Sequence, residues 1–210
     1  MIAKIREVWG YRELIENLVV RDLKVRYKHS VLGFVWSLLN PLLLMLVFTV
    51  VFTLMLPNTT IPKFPVFVLC ALLPWNFFNT AVMSALNSIV QSGHLIKKVY
   101  FPREILPIST VFSNFVNFLL ALPVLFLLMA VFGVPFTANL FYLPLIMLVQ
   151  IAFTIGIALI LATLNVFYRD TGVIMEVIMQ AWFFLTPIFY RAELLPEWGQ
   201  VWGLALPVRR

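Results

Sequence analysis

Charge is scarce in this sequence and missing from long stretches of it. Residues 29–62, 64–96 and 105–168 contain no Asp, Glu, Lys or Arg, and only 11% of the 210 side chains are charged, against about 25% in soluble domains. Each gap exceeds the ~20 residues that cross a ~30 Å hydrocarbon layer as a helix. The third gap, 64 residues long, has room for two crossings. These absences exclude a water-soluble fold. Cysteine is nearly absent as well: Cys70 is the only one, which rules out an internal disulfide and a Cys-rich metal site.

The signatures of common catalytic classes are also missing. No GxxxxGK[ST] loop is present to cradle nucleotide phosphates, so an ATPase of that kind has to be another chain. HExxH is lacking, and the two histidines, His29 and His94, lie in separate segments rather than four residues apart, which argues against a zinc hydrolase. Ser37, Ser84, Ser88, Ser109 and Ser113 have no His or Asp within the predicted spans to activate them. Ion-driven transport keeps titratable groups inside the membrane, and Glu176 is the one candidate. It is set about one turn into its span, close enough to the end to reach the cytoplasmic surface.

What the sequence does contain is apolar: 62% of side chains are hydrophobic and 15% are aromatic. The runs predict an all-α polytopic membrane protein with five spans, at about 31–56, 65–90, 107–132, 140–167 and 172–190. Pro57, Asn58 and Pro62 mark the first connection, Lys97, Lys98 and Arg103 the second, GVPFTAN the third and Tyr168-Arg169-Asp170 the fourth. Asn40-Pro41 and Pro123 should kink or loosen the first and third spans. Ala152, Gly156, Ala158 and Ala162 form small-residue pairs at four-residue spacing in the fourth, suited to close helix packing within or between subunits.

Orientation follows from the bases. With the N-terminus inside, eleven Lys and Arg fall on the inner side and only Lys63, Arg191, Arg209 and Arg210 on the outer side, so the positive-inside bias favours a cytoplasmic N-terminus. Trp75, Tyr142 and Tyr190 would then form an outer aromatic belt. Before the first span, Leu14, Ile15, Leu18, Val19 and Leu23 recur at helical spacing opposite Arg12, Glu13, Glu16, Asn17, Asp22 and Lys24. This pattern predicts an amphipathic helix on the membrane surface or on a partner protein, with an Asp22 to Arg26 pair adding a few tenths of a kcal/mol. Residues 1–30 therefore read as a cytoplasmic interfacial segment whose charges leave no room for the apolar core of a cleavable signal. In the second loop, Lys97, Lys98 and Arg103 alternate with Leu95, Ile96, Val99, Tyr100 and Phe101. A short amphipathic helix ended by Pro102 could insert Ile96, Val99 and Tyr100 into a groove on a soluble partner, or the segment could be a plain interfacial turn. Exposed aromatic rings could also rest against the CH faces of sugars while Asn, Ser or Gln meet the hydroxyls.

The order of YRELIENLVVRDLKVRYKHSVLGFVWSLLNPLL, LLPWNFF, LIKKVYFPREILP, YRD and TPIFY resembles the permease subunit of type 2 ABC exporters for polysaccharides such as O-antigen, capsule or teichoic acid. The resemblance covers nearly all of residues 11–190. It implies a permease homodimer in the bacterial inner membrane, working with two copies of a separate ATPase that holds ATP and Mg, and moving a lipid-linked glycan outward. Membrane lipids and these chains are the implied partners, with no nucleic acid and no cofactor in this chain. By the same resemblance, Leu95, Ile96, Lys97, Lys98, Val99, Tyr100, Phe101, Pro102 and Arg103 correspond to a cytoplasmic coupling helix near 93–104. Leu14, Leu18, Arg21, Asp22, Lys24 and Arg26 belong to the interfacial helix, and Arg169 and Asp170 to the cytoplasmic end of span four. Residues 31–190 form the permease domain. Family members usually have a sixth span, so 191–210 is expected to be an extracytoplasmic or re-entrant tail of a truncated chain. The alternatives are a permease for a drug or small lipid, and an inactive remnant or membrane scaffold.

Overall fold

A computed structural model describes residues 7–28, 35–52 and 63–188 of the chain. Its helices are α1 (Arg12–Tyr27), α2 (Val35–Val50), α3 (Phe64–Gln91), α4 (Gly93–Lys98), α5 (Ile105–Val131), α6 (Leu143–Phe167) and α7 (Thr171–Leu185), with a 3-10 turn at Ala138–Tyr142 leading into α6. No strand occurs among the described residues. The protein is an all-α membrane protein.

The hub is α3, and its sequence explains why. A helix that is apolar over most of its surface can be buried on several sides at once, and α3 is buried along three stripes. Val66, Leu69, Leu73, Phe77, Ala81 and Ala85 meet Val111, Phe118, Ala121, Leu122 and Leu125 of α5, with Met147 and Ala158 of α6. Phe78, Val82 and Leu86 meet Leu161 of α6 and Met175 and Met179 of α7. Phe64, Val68 and Leu72 meet Ile188, with Met45, Phe48 and Phe183 alongside. In lipid, apolar packing adds little driving force of its own, so close fit and interhelical hydrogen bonds decide the arrangement. Gln150 of α6 donates from Nε2 to the Pro74 carbonyl at 2.8 Å. Asn165 donates from Nδ2 to the Leu86 carbonyl at 3.1 Å and to Asn87 Oδ1 at 3.2 Å. Of the small residues in α6, Ala158 and Ala162 are fully buried, whereas Ala152 is exposed and nothing lies within 4 Å of a Cβ built on Gly156. The first pair thus packs within the chain.

Among the described residues, three helical stretches are long and apolar enough to cross a membrane: Phe64–Lys98, Ile105–Val131 and Ala138–Phe167. The other two expected spans are shorter among the described residues. α2 has 16 residues, about 24 Å at 1.5 Å each, and residues 31–34 and 53–56 of that expected span lie outside the description. α7 ends at Leu185 rather than near 190, because Thr186 is extended (φ −85°, ψ 133°) ahead of Pro187, as a residue before proline prefers. Prolines 41, 74 and 123 sit inside continuous helices. Trp75 is not at an outer rim. It lies 11 residues into α3 among Phe78, Trp182 and Phe183, while Tyr142 is exposed before α6 and Tyr190 lies outside the described residues.

The loop between α5 and α6 is set by Gly133 at φ 61°. Val134 N–H reaches the Met129 carbonyl at 2.8 Å and Gly133 N–H the Ala130 carbonyl at 3.1 Å, a Schellman close that needs the left-handed residue. Lys63 Nζ donates to the Gly133 carbonyl, joining the two connections at this end of the bundle.

Candidate functional site

At the opposite end of the bundle, a cavity of about 1020 Å³ opens among α1, α3, α5 and α7. α3 contributes Asn79, Ser84, Asn87 and Gln91, α5 contributes Ser109 and Ser113, and Arg21, Asp22, Arg26, His94 and Glu176 complete its charged and titratable lining. Such a concentration of polar groups inside an apolar bundle is costly unless it faces water or a polar ligand. The hydroxyls of Ser88, Ser109 and Ser113 donate to carbonyls of their own helices at 2.6, 2.9 and 3.1 Å, which leaves oxygen lone pairs as their remaining capacity. Asn87 is oriented by Asn165. The wall can therefore meet a ligand rich in hydroxyl donors.

α1 closes one side of this cavity. Its apolar face packs inward, with Leu18 buried against Phe101, Ile105 and Leu106 and with Tyr11, Leu14 and Ile15 around them. Part of the apolar face thus rests on the chain itself, while Val20 and Val25 of the same helix stay exposed. Arg26 donates from Nη1 to Asn114 Oδ1 at 3.1 Å. The expected Asp22 to Arg26 pair is replaced, since Asp22 accepts from its neighbour Arg21 at 2.8 Å and Arg26 is turned toward α5. Lys24 is exposed.

The second loop divides into two faces. The helix there ends at Lys98, with Val99 already extended, rather than running on to Pro102. Pro102 lacks an N–H and its ring would strike the carbonyl four residues back, that of Lys98. Leu95 and Ile96 pack into the Leu18 cluster and Phe101 is buried in it. Val99 is 54% exposed and Tyr100 97% exposed. Lys97, Lys98 and Arg103 are exposed and Pro102 is half-buried. Ile96 is thus an inward residue, and Val99 with Tyr100 form the projecting pair. Arg169 and Asp170 are exposed in the turn between α6 and α7. Helix direction places that turn at the same end of the bundle as the loop.

Residues 13–209 match the family described as ABC-2 type transporter. The chain belongs to this family. Among its curated relatives are the O-antigen export system permease protein RfbA of Myxococcus xanthus, 41% identical over 94% of this chain and 75% of the relative. The protein of the same name from Klebsiella pneumoniae is 36% identical over 94% of this chain and 76% of the relative. The polysialic acid transport protein KpsM of Escherichia coli is 24% identical over 91% of this chain and 74% of the relative.

This ABC-2 permease chain carries the polar stripe of α3 in plain view. Asn79, Thr80, Ser84, Asn87, Ser88 and Gln91 recur at helical spacing. None bears a formal charge, so a count of charges passes over them. Glu176, the lone carboxylate within the apolar runs, lies on the cavity wall.

Proposed function

We propose that this chain is the membrane-spanning permease of an ATP-driven exporter that moves lipid-linked polysaccharide across the bacterial inner membrane. A second copy completes the pathway, and a separate ATPase, which holds ATP and Mg, drives it from the cytoplasmic side, where the N-terminus and the 93–104 loop lie. Similarity to an O-antigen export system permease and a polysialic acid transport protein supports the cargo class. The observation that carries the reading is the pairing of a hydroxyl-compatible cavity with a projecting Val99-Tyr100 pair, set at one end of the same bundle.

The loop geometry supplies a mechanical route. A partner that grips Tyr100 pulls on Phe101, which is held among Leu18, Ile105 and Leu106. Displacement of Phe101 therefore shifts α1 and the start of α5 together, and both line the cavity. ATP closure of the partner changes the permease only if its grip differs in strength between two permease states. Lys97, Lys98 and Arg103 favour an acidic partner surface.

Deleting the gene should abolish surface polysaccharide, and the intact gene should restore it. The double substitution Ser84→Leu with Asn87→Leu should leave the ATPase copurifying but reduce exported glycan about tenfold or more, since two polar partners are lost from the wall. Unchanged surface glycan with loss of drug or small-lipid efflux would instead establish the other cargo. An intact glycan coat in the deletion strain would leave the chain as a scaffold.

A further inference from the structure

Asn165, near the end of α6, is 5% exposed. A side-chain amide is costly to bury unless its hydrogen bonds are met. Its Nδ2 donates to the Leu86 carbonyl at 3.1 Å and to Asn87 Oδ1 at 3.2 Å, which gives both amide hydrogens an acceptor. The first acceptor decides every orientation that follows. A backbone carbonyl can only accept, so Asn165 has to turn its nitrogen, not its oxygen, toward α3. The same nitrogen meets Asn87, which has to answer with oxygen. The Nδ2 of Asn87 is thereby left over, with no acceptor among the described residues, and Asn87 lines the polar cavity. Ser88, Ser109 and Ser113 of the same lining have spent their hydroxyl hydrogens on helix carbonyls and can only accept. A sugar hydroxyl satisfies both kinds of group, accepting from Asn87 and donating to a serine oxygen.

We propose that Asn165 is a positioning residue for the cargo: it holds the amide of Asn87 with its N–H groups free for the cavity, where they donate to hydroxyl oxygens of the glycan. This rests on the reading that the cavity receives glycan. Asn165 is not in the cavity lining and acts through Asn87. Without it, Asn87 turns its oxygen to the cavity as readily as its nitrogen, and cargo has to immobilise the side chain on binding.

The test is a cycle of Asn165→Leu and Asn87→Leu, alone and together, in the full chain reconstituted with its ATPase in proteoliposomes. ATP turnover is read against the concentration of lipid-linked glycan extracted from the host bacterium. Asn165→Leu should raise the half-saturating concentration about threefold and Asn87→Leu about fivefold. The pair should do no more than Asn87→Leu alone. A merely structural Asn165 would lower maximal turnover, through fewer working complexes, and leave half-saturation in place; that result would overturn the proposal. So would a threefold rise that persists in the Asn87→Leu background. Asn165→Ala provides the same comparison if the leucine variant does not fold. Absence of any glycan stimulation in the unmodified complex would sink the reading of the cavity and the proposal together, whereas stimulation indifferent to Asn165 would remove the proposal alone.

Discussion

Arg26 of the N-terminal helix donates from Nη1 to Oδ1 of Asn114, nine residues into α5, at 3.1 Å. Asn114 is buried and donates in turn from Nδ2 to the Thr110 carbonyl at 2.8 Å. One hydrogen bond thus fastens a helix that precedes the first span to the interior of the bundle. Its strength is open to a double-mutant cycle. Arg26→Ala and Asn114→Ala, alone and together, should show a coupling of about 1 kcal/mol in the unfolding of the chain in lipid nanodiscs. Strict additivity would mean that α1 is held by its apolar face alone.

The two faces of the second loop separate in a paired experiment. Val99→Asp with Tyr100→Asp alters exposed side chains, so thermal stability should change by no more than about 0.5 kcal/mol while copurification of the ATPase is lost. Phe101→Asp places a carboxylate among Leu18, Ile105 and Leu106. It should lower stability by about 2 kcal/mol or more whether or not the ATPase is present. Retention of the ATPase by the Val99 and Tyr100 double variant would remove those residues from the docking surface.

Small residues in α6 should respond in opposite ways. Ala158→Leu forces extra volume into a site with no exposed surface and should cost about 1–3 kcal/mol. Gly156→Ala meets nothing within 4 Å and should stabilise the helix by about 0.5–1 kcal/mol. Thermal melting of the two purified variants decides the matter.

Gln150 and Pro74 form a polar contact between α6 and α3 within the apolar bundle. Gln150→Leu should lower stability by about 0.6 kcal/mol and by no more than about 2, measured by unfolding in bilayers. A neutral result would mean that the Pro74 carbonyl is adequately served by its own helix.

Much of the fold is legible in the residues because formal charge is so expensive in lipid. Runs without it mark α3, α5 and α6 and the turns between them. The ends of elements are less legible. α7 stops at Leu185 because Pro187 constrains Thr186, and α4 stops at Lys98 because Pro102 reaches back four residues, so each proline acts before its own position. Trp75 illustrates a different limit: an aromatic ring suits an interface or a packed interior equally well, and only the neighbours Trp182 and Phe183 decide between them. The small pairs of α6 carry the same ambiguity, since spacing alone does not say that Ala158 turns inward and Gly156 outward. The polar cavity needed one further step, reading uncharged Asn, Ser and Gln at helical spacing as a face. Arg26 is tied to Asn114, 88 residues away, a distance over which local pattern carries no information.

In the proposed arrangement the Tyr100 end of the bundle faces a soluble ATPase in the cytoplasm and the Lys63 and Gly133 end faces outward. Single cysteines at Tyr100 and Thr137, in a Cys70→Ala background, can be probed with a membrane-impermeant maleimide. Position 100 should label only in inside-out vesicles and be protected when the ATPase is bound, while position 137 should label only in spheroplasts. Labelling of position 100 from the outside, or no protection by the ATPase, would contradict it.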